Sequence, residues 1–428
     1  MVGLLFGVLV IMLILGVPIA LSLGVAVVAG IFSTGNFNLF PVVPQRMFTQ
    51  ADNFTLMAVP FFILAGNLME KGGISKRLIG FFEILLRRVP ARLSVITVVA
   101  SAFFGAISGS NPATVAAIGG LTIPRMKEKG YPKEQAAAVA ASAGTLGVVI
   151  PPSIPMVTYA VTASVSVGTM FIAGVVPGLI LAGVLILVNL QLNRKHDEPD
   201  KSSVTVKHIV LSFWEALAAL IMPVIILGGI YGGLFTPTES AAVSCVYALI
   251  ISVFVYKELK VKDLYGIFYK SAVSSAIVLF VVSLSAPFGW FMTNQNIPTM
   301  IASSVLGLFS NKYVLLLMIN FILLFLGMFL ETQAIILLVT PILLPIAVSL
   351  GMSPIALGII IIINTSIGMI TPPMAVNLFV ATGISGSSIE QISTKIMPFL
   401  IAEAIALVLM TFFPVIITWL PSVLGFAV

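Results

Sequence analysis

Apolar residues in this chain occur in long runs, separated by short polar segments that are rich in lysine and arginine. A helix of about 20 apolar residues crosses a hydrocarbon core of about 30 Å, so runs of this length predict membrane spans. Residues 2–33 form a longer run with a soft point at Gly16-Val17-Pro18, where we predict one kinked helix, with two short helices as the alternative. Plain spans are predicted near residues 54–69, 170–190, 211–231, 238–256, 271–292 and 396–420.

The apolar run at residues 93–124 differs from the plain spans because it has a polar centre, Ser108 to Pro112. Arginines and lysines flank the run on both sides, and such cations mark the cytoplasmic side of a membrane segment. The run is too short for two full crossings at about 1.5 Å per residue, so we predict a re-entrant hairpin with the polar centre at its tip. Irregular backbone at membrane depth is tolerated only inside protein or beside a wet cavity. The tip is therefore a candidate binding site.

Two further helices are predicted to break in mid-membrane. One begins near Glu134 and meets glycines and prolines between Gly144 and Pro152, and the other covers residues 354–382 and is interrupted between Asn364 and Pro373. Proline lacks the N–H group that a helix interior needs, so neither helix continues through these positions. Residues 312–346 repeat the hairpin pattern, with Glu331-Thr332-Gln333 at the tip.

The two halves of the chain share a backbone plan, because residues that fix breaks and turns recur at a constant spacing of 221. The first hairpin is predicted to enter from the cytoplasm and the second from outside, so the repeats are inverted. Inverted repeats with paired broken helices are typical of alternating-access carriers. The fold predicted is an all-α polytopic membrane protein with inverted structural repeats, each holding a re-entrant hairpin and a broken transmembrane helix. The recurring pairs are Pro124 and Pro345, Gly130 and Gly351, Gly147 and Gly368, Pro151 and Pro372, Pro152 and Pro373, and Pro177 and Pro398.

Composition agrees with a membrane class, since 59% of the residues are hydrophobic and 8% are charged. This predicted topology places only Arg46 and Lys312 on the outer side of the membrane, so 19 of the 21 lysines and arginines are expected in cytoplasmic loops. The net charge of +6 then reflects those loops, and we expect no nucleic-acid partner. Neither histidine lies in a span and no two acids share a hairpin, which argues against an enzyme. Two hairpins that close on broken helices favour an occluded site over a channel.

Polar oxygens collect at the tips and breaks, where backbone carbonyls are also freed. Five or six such oxygens can replace the hydration shell of a sodium ion, and we predict two or more coupling sodium ions. Opposed half-helix N-termini favour an anionic substrate between the two sets. The alternative is that these small residues only allow close helix packing. The predicted sodium ligands are Ser108, Ser110, Asn111, Thr145 and Gly147, with Thr332, Thr365, Gly368 and Thr371 in the second repeat. The predicted substrate residues are Ser110, Asn111, Pro151, Pro152 and Ser153, with Thr371, Pro372 and Pro373.

Two acidic residues in apolar surroundings need separate mention, because ionisable groups in a membrane are expensive and usually functional. Glu331 at the second tip could be an ion ligand, a proton carrier or a residue at the lip of the outer vestibule. Glu403 lies in the last span without a lysine or arginine in reach on the same face, and the sequence offers no role for it.

Four segments resemble the large membrane (M) subunit of tripartite ATP-independent periplasmic (TRAP) transporters, of the ion-transporter superfamily. They are VPFFILAGNLMEKGG (59–73), GAISGSNPATVAAIG (105–119), IPPS (150–153) and GGIYGGLFTPTESAA (228–242). The resemblance covers essentially the whole chain, and it implies a sodium-driven importer with an elevator mechanism in the bacterial inner membrane. The second tip departs from the pattern, since it does not repeat the Ser-Asn pair of the first tip.

The resemblance also implies partners and a solute class. A periplasmic substrate-binding protein would deliver an organic acid of the C4-dicarboxylate or sialic acid type, and a small four-helix membrane subunit, not fused here, would brace the scaffold. Both hairpins and both broken helices must travel with the site they enclose. Residues 93–192 and 312–428 are therefore expected to form a transport domain, and residues 1–92 and 193–311 a scaffold. A stand-alone sodium/carboxylate carrier of the same superfamily is the alternative.

Overall fold

The computed structural model describes residues 2–196, 205–308 and 311–428, and all regular secondary structure in these ranges is helical. Eight of the described helices are long and apolar enough to cross a membrane. A bent pair, Lys133–Val149 and Ile154–Thr162, makes a ninth candidate if it is taken as one span. The predicted class, an all-α multi-pass membrane protein, is confirmed.

The first apolar run is two helices and not one kinked helix, so that prediction is wrong and its alternative is right. The chain turns at Gly16, whose φ of 77° is left-handed, and Pro18 cannot donate to a continuing helix. The two helices then pack against each other, with the Leu5 side chain beside Gly30. Up to residue 92 the helices are α1 (Val2–Ile14), α2 (Ile19–Thr34), α3 (Val42–Ala51), α4 (Ala58–Lys71) and α5 (Ile74–Leu85), with 3₁₀ turns at Phe37–Leu39 and Phe54–Met57.

The first hairpin is present with its tip where the sequence predicts it. α6 (Arg92–Ser108) ends at Gly109, whose φ of 57° reverses the chain, and the return arm begins at Asn111. The return arm contains a π-helical turn, a feature that is frequent at functional sites. Its parts are α7 (Asn111–Thr114), the π turn Val115–Gly119 and α8 (Gly120–Glu128).

The first broken helix follows, and its break is also where the sequence places it. The backbone is extended at Ile150, directly before the two prolines, and helix resumes at Ile154. The half-helices pack into the interior, because almost every residue from Gln135 to Ala160 is buried. The elements are α9 (Lys133–Ala143), α10 (Leu146–Val149) and α11 (Ile154–Thr162), followed by the long span α12 (Val167–Asn193).

The middle of the chain forms a second group of long helices. α14 runs on into a π-helical segment, Ile251–Val255. The basic loop before residue 206 lies partly outside the described residues, Lys201 included, and so do residues 309 and 310. The helices are α13 (Val206–Tyr231), α14 (Pro237–Ile250), α15 (Val261–Asn294) and α16 (Ile297–Leu308).

The second repeat has the same plan, with hairpin arms of nearly the same length as those of the first. Each arm has 18 residues and is long enough for a span, and the arms meet at Leu330 and Glu331. The last span begins and ends earlier than predicted, because its helix starts at Ile389 and stops before Pro414. The elements are α17 (Lys312–Phe329), α18 (Thr332–Ser349), α19 (Pro354–Gly368), α20 (Val376–Ser385), α21 (Ile389–Phe412) and α22 (Val415–Val423).

The helices pack densely within two groups, and further contacts join the groups, among them those of α4 and α5 with α6 and of α15 and α16 with α18. In one group, α9 packs against α20 and α21, α10 against α19, and α12 against α21 and α22. In the other, α15 packs against α2, α3 and α4, while α13 packs against α5 and α14. The first group brings both hairpins and both breaks together, and the second group forms a wall beside them.

Candidate substrate and ion site

Asn111, the first residue of the helix after the first tip, lies at the centre of the site and is fully buried. Its Oδ1 accepts a hydrogen bond of 3.0 Å from the backbone N–H of Val148 in the first break. Its Nδ2 donates at 2.7 Å to Oγ of Ser366, which precedes the second break. One amide side chain therefore ties the first tip to both breaks, and it uses its acceptor and donor atoms to do so.

The two breaks also meet each other directly. Oγ of Ser366 donates a 2.7 Å hydrogen bond to the backbone carbonyl of Thr145, and these two residues are 221 positions apart. The contact thus joins equivalent positions of the two repeats. A side chain at one break thus bonds the backbone at the other, which keeps both breaks in register.

Oxygen atoms cluster beneath the first tip. Oγ of Ser108 lies 3.0 Å from Oγ1 of Thr114, and Thr114 donates at 2.8 Å to the carbonyl of Ser110. Gly147 faces this cluster: a Cβ atom at that position would lie 2.6 Å from the Ser110 carbonyl oxygen and 2.7 Å from Thr114 Oγ1. Glycine is therefore the only residue that leaves the cluster its space. Thr114 belongs to the cluster although the sequence did not single it out.

The second tip is built differently. Thr332 is buried, and its Oγ1 lies 3.7 Å from the sulfur of Met369. Gln333 is 8% exposed, and its Oε1 has no hydrogen-bond partner. Behind the tip, Gly327 and Gly368 meet backbone to backbone, since a Cβ on Gly327 would lie 3.0 Å from the Cα of Gly368.

Three residues of the predicted sodium set direct their side-chain hydroxyls away from the tips. Thr145 Oγ1 lies 2.7 Å from the Ser142 carbonyl and 2.7 Å from Oε1 of Glu403. Thr365 and Thr371 each donate to a carbonyl four residues earlier in the chain. Glu403, for which the sequence offered no role, is thus a fully buried partner of the first break, and its Oε2 has no hydrogen-bond partner.

A cavity of about 320 Å³ opens between the two tips and the neighbouring helices α4 and α15. Of the predicted residues it is lined by Ser108, Ser110, Asn111 and Thr332. The other predicted positions stand behind it and are not lining residues: Thr145, Gly147, Pro151, Pro152, Ser153, Thr365, Gly368, Thr371, Pro372 and Pro373. The tips face the cavity, and the breaks reach it through other residues, Val148 and Met369.

The opposite wall of the cavity comes from residues that sequence reasoning missed. Asn67 on α4 donates a 2.8 Å hydrogen bond to Ser271 on α15 and fixes the two helices together. Beside this bond, Nζ of Lys270 lies 3.9 Å from Oε2 of Glu70. Both charged residues line the cavity. The sequence signal for them was weak, because Lys270 reads as one more cation of a basic loop.

Gly66 places the wall against the tip. A Cβ at this position would lie 3.3 Å from Cα of Ser108, so a small residue allows α4 to approach the backbone of the first tip.

Two inverted repeats with paired hairpins and broken helices around one central cavity define a membrane transporter of the secondary-carrier type.

Comparison with known proteins gives the family. The chain matches the model described as "Tripartite ATP-independent periplasmic transporter, DctM component" over residues 6–416. It is 39% identical over 434 residues to the C4-dicarboxylate TRAP transporter large permease protein DctM of Rhodobacter capsulatus, with 98% of each chain covered. It is 35% identical over 422 residues to the sialic acid TRAP transporter large permease protein SiaM of Vibrio cholerae, with 99% of this chain and 98% of that protein covered.

A longer relative is also similar. The chain is 45% identical over 423 residues to the isethionate TRAP transporter permease protein DctMQ of Oleidesulfovibrio alaskensis; the match covers 98% of this chain and 65% of that protein. The solved structure of the Alcanivorax borkumensis YdaH transporter has the same fold, with a TM-score of 0.63 over 89% of each chain at 14% identity. This chain belongs to the DctM family, the large permease component of TRAP transporters.

Proposed function

We propose that this chain is the large membrane subunit of a sodium-coupled importer that takes an organic acid from a periplasmic substrate-binding protein and moves it inward across the bacterial inner membrane. The observation that carries the proposal is the convergence of both hairpin tips on one cavity that has a wall of separate helices. A site enclosed by one group of helices and closed by another can be exposed to either side when the groups slide.

Sodium coupling is supported by the oxygen cluster at the first tip. The carbonyl of Ser110 and the hydroxyls of Ser108 and Thr114 lie together beside Gly147, where no side chain occupies the space. These are neutral, hard oxygen ligands of the kind a small alkali cation takes. Asn111 would orient the cluster, because its amide ties the first tip to both breaks.

The elevator movement assigns residues 93–192 and 312–428 to the transport domain and residues 1–92 and 193–311 to the scaffold. The packing of α9 against α20 and α21, and of α12 against α21 and α22, joins the two transport segments and supports this division. The cavity reaches Glu70 and Lys270, which stand beside the basic loops that the positive-inside rule places in the cytoplasm. We therefore assign the structure to an inward-facing state.

The names of the relatives describe a tripartite transporter, and this supports the proposal that the chain works with two partner proteins. A small four-helix membrane subunit would brace the scaffold, and the binding protein would dock on the outer face, at residues 34–50 and 293–311. On that face α3 packs against α15 and presents the largely exposed Phe48.

Reconstitution in proteoliposomes tests the proposal. Uptake of radiolabelled isethionate, succinate or N-acetylneuraminate should require the small subunit, the binding protein and an inward sodium gradient together. Omission of each component in turn is the control. Uptake by this chain alone, at the rate of the full system, would contradict the proposal and favour a stand-alone carrier.

A further inference from the structure

The cavity has an unusual charge pattern. Among the described residues that line it, Lys270 is the only one with a cationic side chain, while Glu70 and Glu331 are acidic. Lys270 is 62% exposed and stands 3.9 Å from Glu70, a distance at which the pair holds together only weakly. A cation held this loosely can exchange one carboxylate partner for another.

The second tip carries a hydrogen-bond acceptor that has no donor. Gln333 is 8% exposed and lines the cavity, and its Oε1 has no hydrogen-bond partner. A buried polar atom of this kind is costly to leave unpaired, so a ligand that brings an O–H or N–H group to it gains affinity.

We propose that Lys270 binds the single acid group of the solute, that Glu70 is its partner while the cavity is empty, and that Gln333 accepts a hydrogen bond from a hydroxyl group at the other end of the solute. The cavity then selects small hydroxylated monoanions over dicarboxylates. A second carboxylate finds no second cation and is repelled by Glu70 and Glu331. This inference rests on the proposed function and names the solute class.

The scaffold is thereby part of the binding site. Lys270 is on α15, whose position relative to α4 is fixed by the Asn67–Ser271 hydrogen bond, while Gln333 belongs to the second tip. The solute would bridge the two helix groups and would lose the lysine once the tips slide away from α15.

Equilibrium binding to the full chain in lipid nanodiscs, in sodium buffer, tests the proposal with four probes. Isethionate and N-acetylneuraminate are hydroxylated monoanions, ethanesulfonate is isethionate without its hydroxyl group, and succinate is a dianion. At least one hydroxylated monoanion should bind about tenfold more tightly than succinate, and isethionate more tightly than ethanesulfonate, because a site built for a hydroxyl group rejects the analogue that lacks it.

Four variants distinguish a change in ligand binding from a loss of folding. Lys270→Gln should weaken monoanion binding about tenfold, whereas Glu70→Gln should tighten it about threefold by freeing the lysine. Gln333→Leu should abolish the preference for isethionate over ethanesulfonate. Lys262→Gln, at an exposed lysine on the same helix outside the cavity, should change nothing.

A folding defect would weaken binding in both variants. Tighter binding in Glu70→Gln together with weaker binding in Lys270→Gln therefore cannot result from misfolding. The inference is overturned if succinate binds as tightly as both monoanions, or if Lys270→Gln binds like wild type. Should the chain bind no probe while the full system still imports one of them, the inference fails and the proposed function stands. If no probe is imported either, both fail.

Discussion

The two hairpin tips occupy equivalent places in the repeats and have different chemistry. At the spacing of 221 residues, Ser110 corresponds to Glu331 and Asn111 to Thr332. Asn111 bonds to both breaks, whereas Thr332 makes only a long contact with the sulfur of Met369. The first tip is locked to the breaks, and the second presents polar groups to the cavity.

The duplication therefore preserves backbone shape and not side-chain chemistry. Glycine and proline hold the turns and breaks in both halves because the backbone requires them. The side chains between them are free to diverge, so one tip can organise an ion site while the other contacts the solute. Substitutions at equivalent positions should therefore have unequal effects.

The largest effect is expected at the amide that bridges the breaks. Asn111→Ala leaves the Val148 N–H without its acceptor and removes the donor to Ser366 Oγ, and an unsatisfied buried N–H costs about 1–3 kcal/mol. Uptake should be abolished and the thermal midpoint in detergent lowered. Thr332→Ala, the matched change at the second tip, should retain most uptake, and equal losses in the two variants would contradict the assigned asymmetry.

Gly147→Ala should come next. The added methyl group would lie within 2.7 Å of two oxygens of the cluster and would fill the space assigned to the ion. We expect at least a hundredfold rise in the sodium concentration needed for half-maximal uptake, equivalent to about 3 kcal/mol. The control is Gly120→Ala in the same hairpin, where a methyl group meets no atom within 4 Å. An unchanged sodium requirement in Gly147→Ala would place the ion elsewhere.

Ser110→Ala should have a smaller effect on the same measurement. The substitution removes the hydroxyl that the sequence predicts as a sodium ligand and keeps the backbone carbonyl that belongs to the oxygen cluster. Sodium affinity should fall about ten- to hundredfold, for a lost ligand worth about 1–3 kcal/mol. High sodium should partly restore uptake. Failure of rescue, together with a lowered thermal midpoint, would indicate a folding defect instead.

Glu331→Gln, at the position equivalent to Ser110, should have the smallest effect. The carboxylate lines the cavity and has no part in the oxygen cluster, so its loss should alter the solute concentration for half-maximal uptake about threefold and leave the sodium dependence unchanged. The sodium dependence and the solute dependence of uptake should be measured in both Ser110→Ala and Glu331→Gln, because together they separate the roles of the two tips. A sodium defect in Glu331→Gln would make the second tip an ion site too.

The sequence predicts the backbone plan well because glycines and prolines act locally. Both hairpin tips and both breaks lie where Gly109, the two proline pairs and Glu331 place them. The first apolar run was misread, since hydropathy alone does not say whether Gly16 and Pro18 kink a helix or reverse it. The two helices pack against each other once the chain reverses, and such packing is not local.

The candidate site was predicted less completely, for the same reason. Thr145 reads as a ligand in the sequence, but its hydroxyl lies against Glu403, which is 258 residues away. Lys270 and Glu70 reach the cavity only because Asn67 joins helices whose contacting residues are 204 positions apart. Such pairings depend on tertiary structure, which no local pattern records. The sodium ligands and the domain division remain predictions.

Both repeats are proposed to move as one body past the scaffold, and distances between pairs of spin labels measure this movement. Cys245 is the only cysteine in the chain, so Cys245→Ser gives a background for paired spin labels in nanodiscs. The pair Glu128 and Glu390, exposed on different repeats, should keep one distance in all conditions. The pair Glu128 and Lys262, on the transport domain and the scaffold, should show two distances whose populations change with sodium and solute. A single unchanging distance for the second pair, or a variable one for the first, would contradict the account.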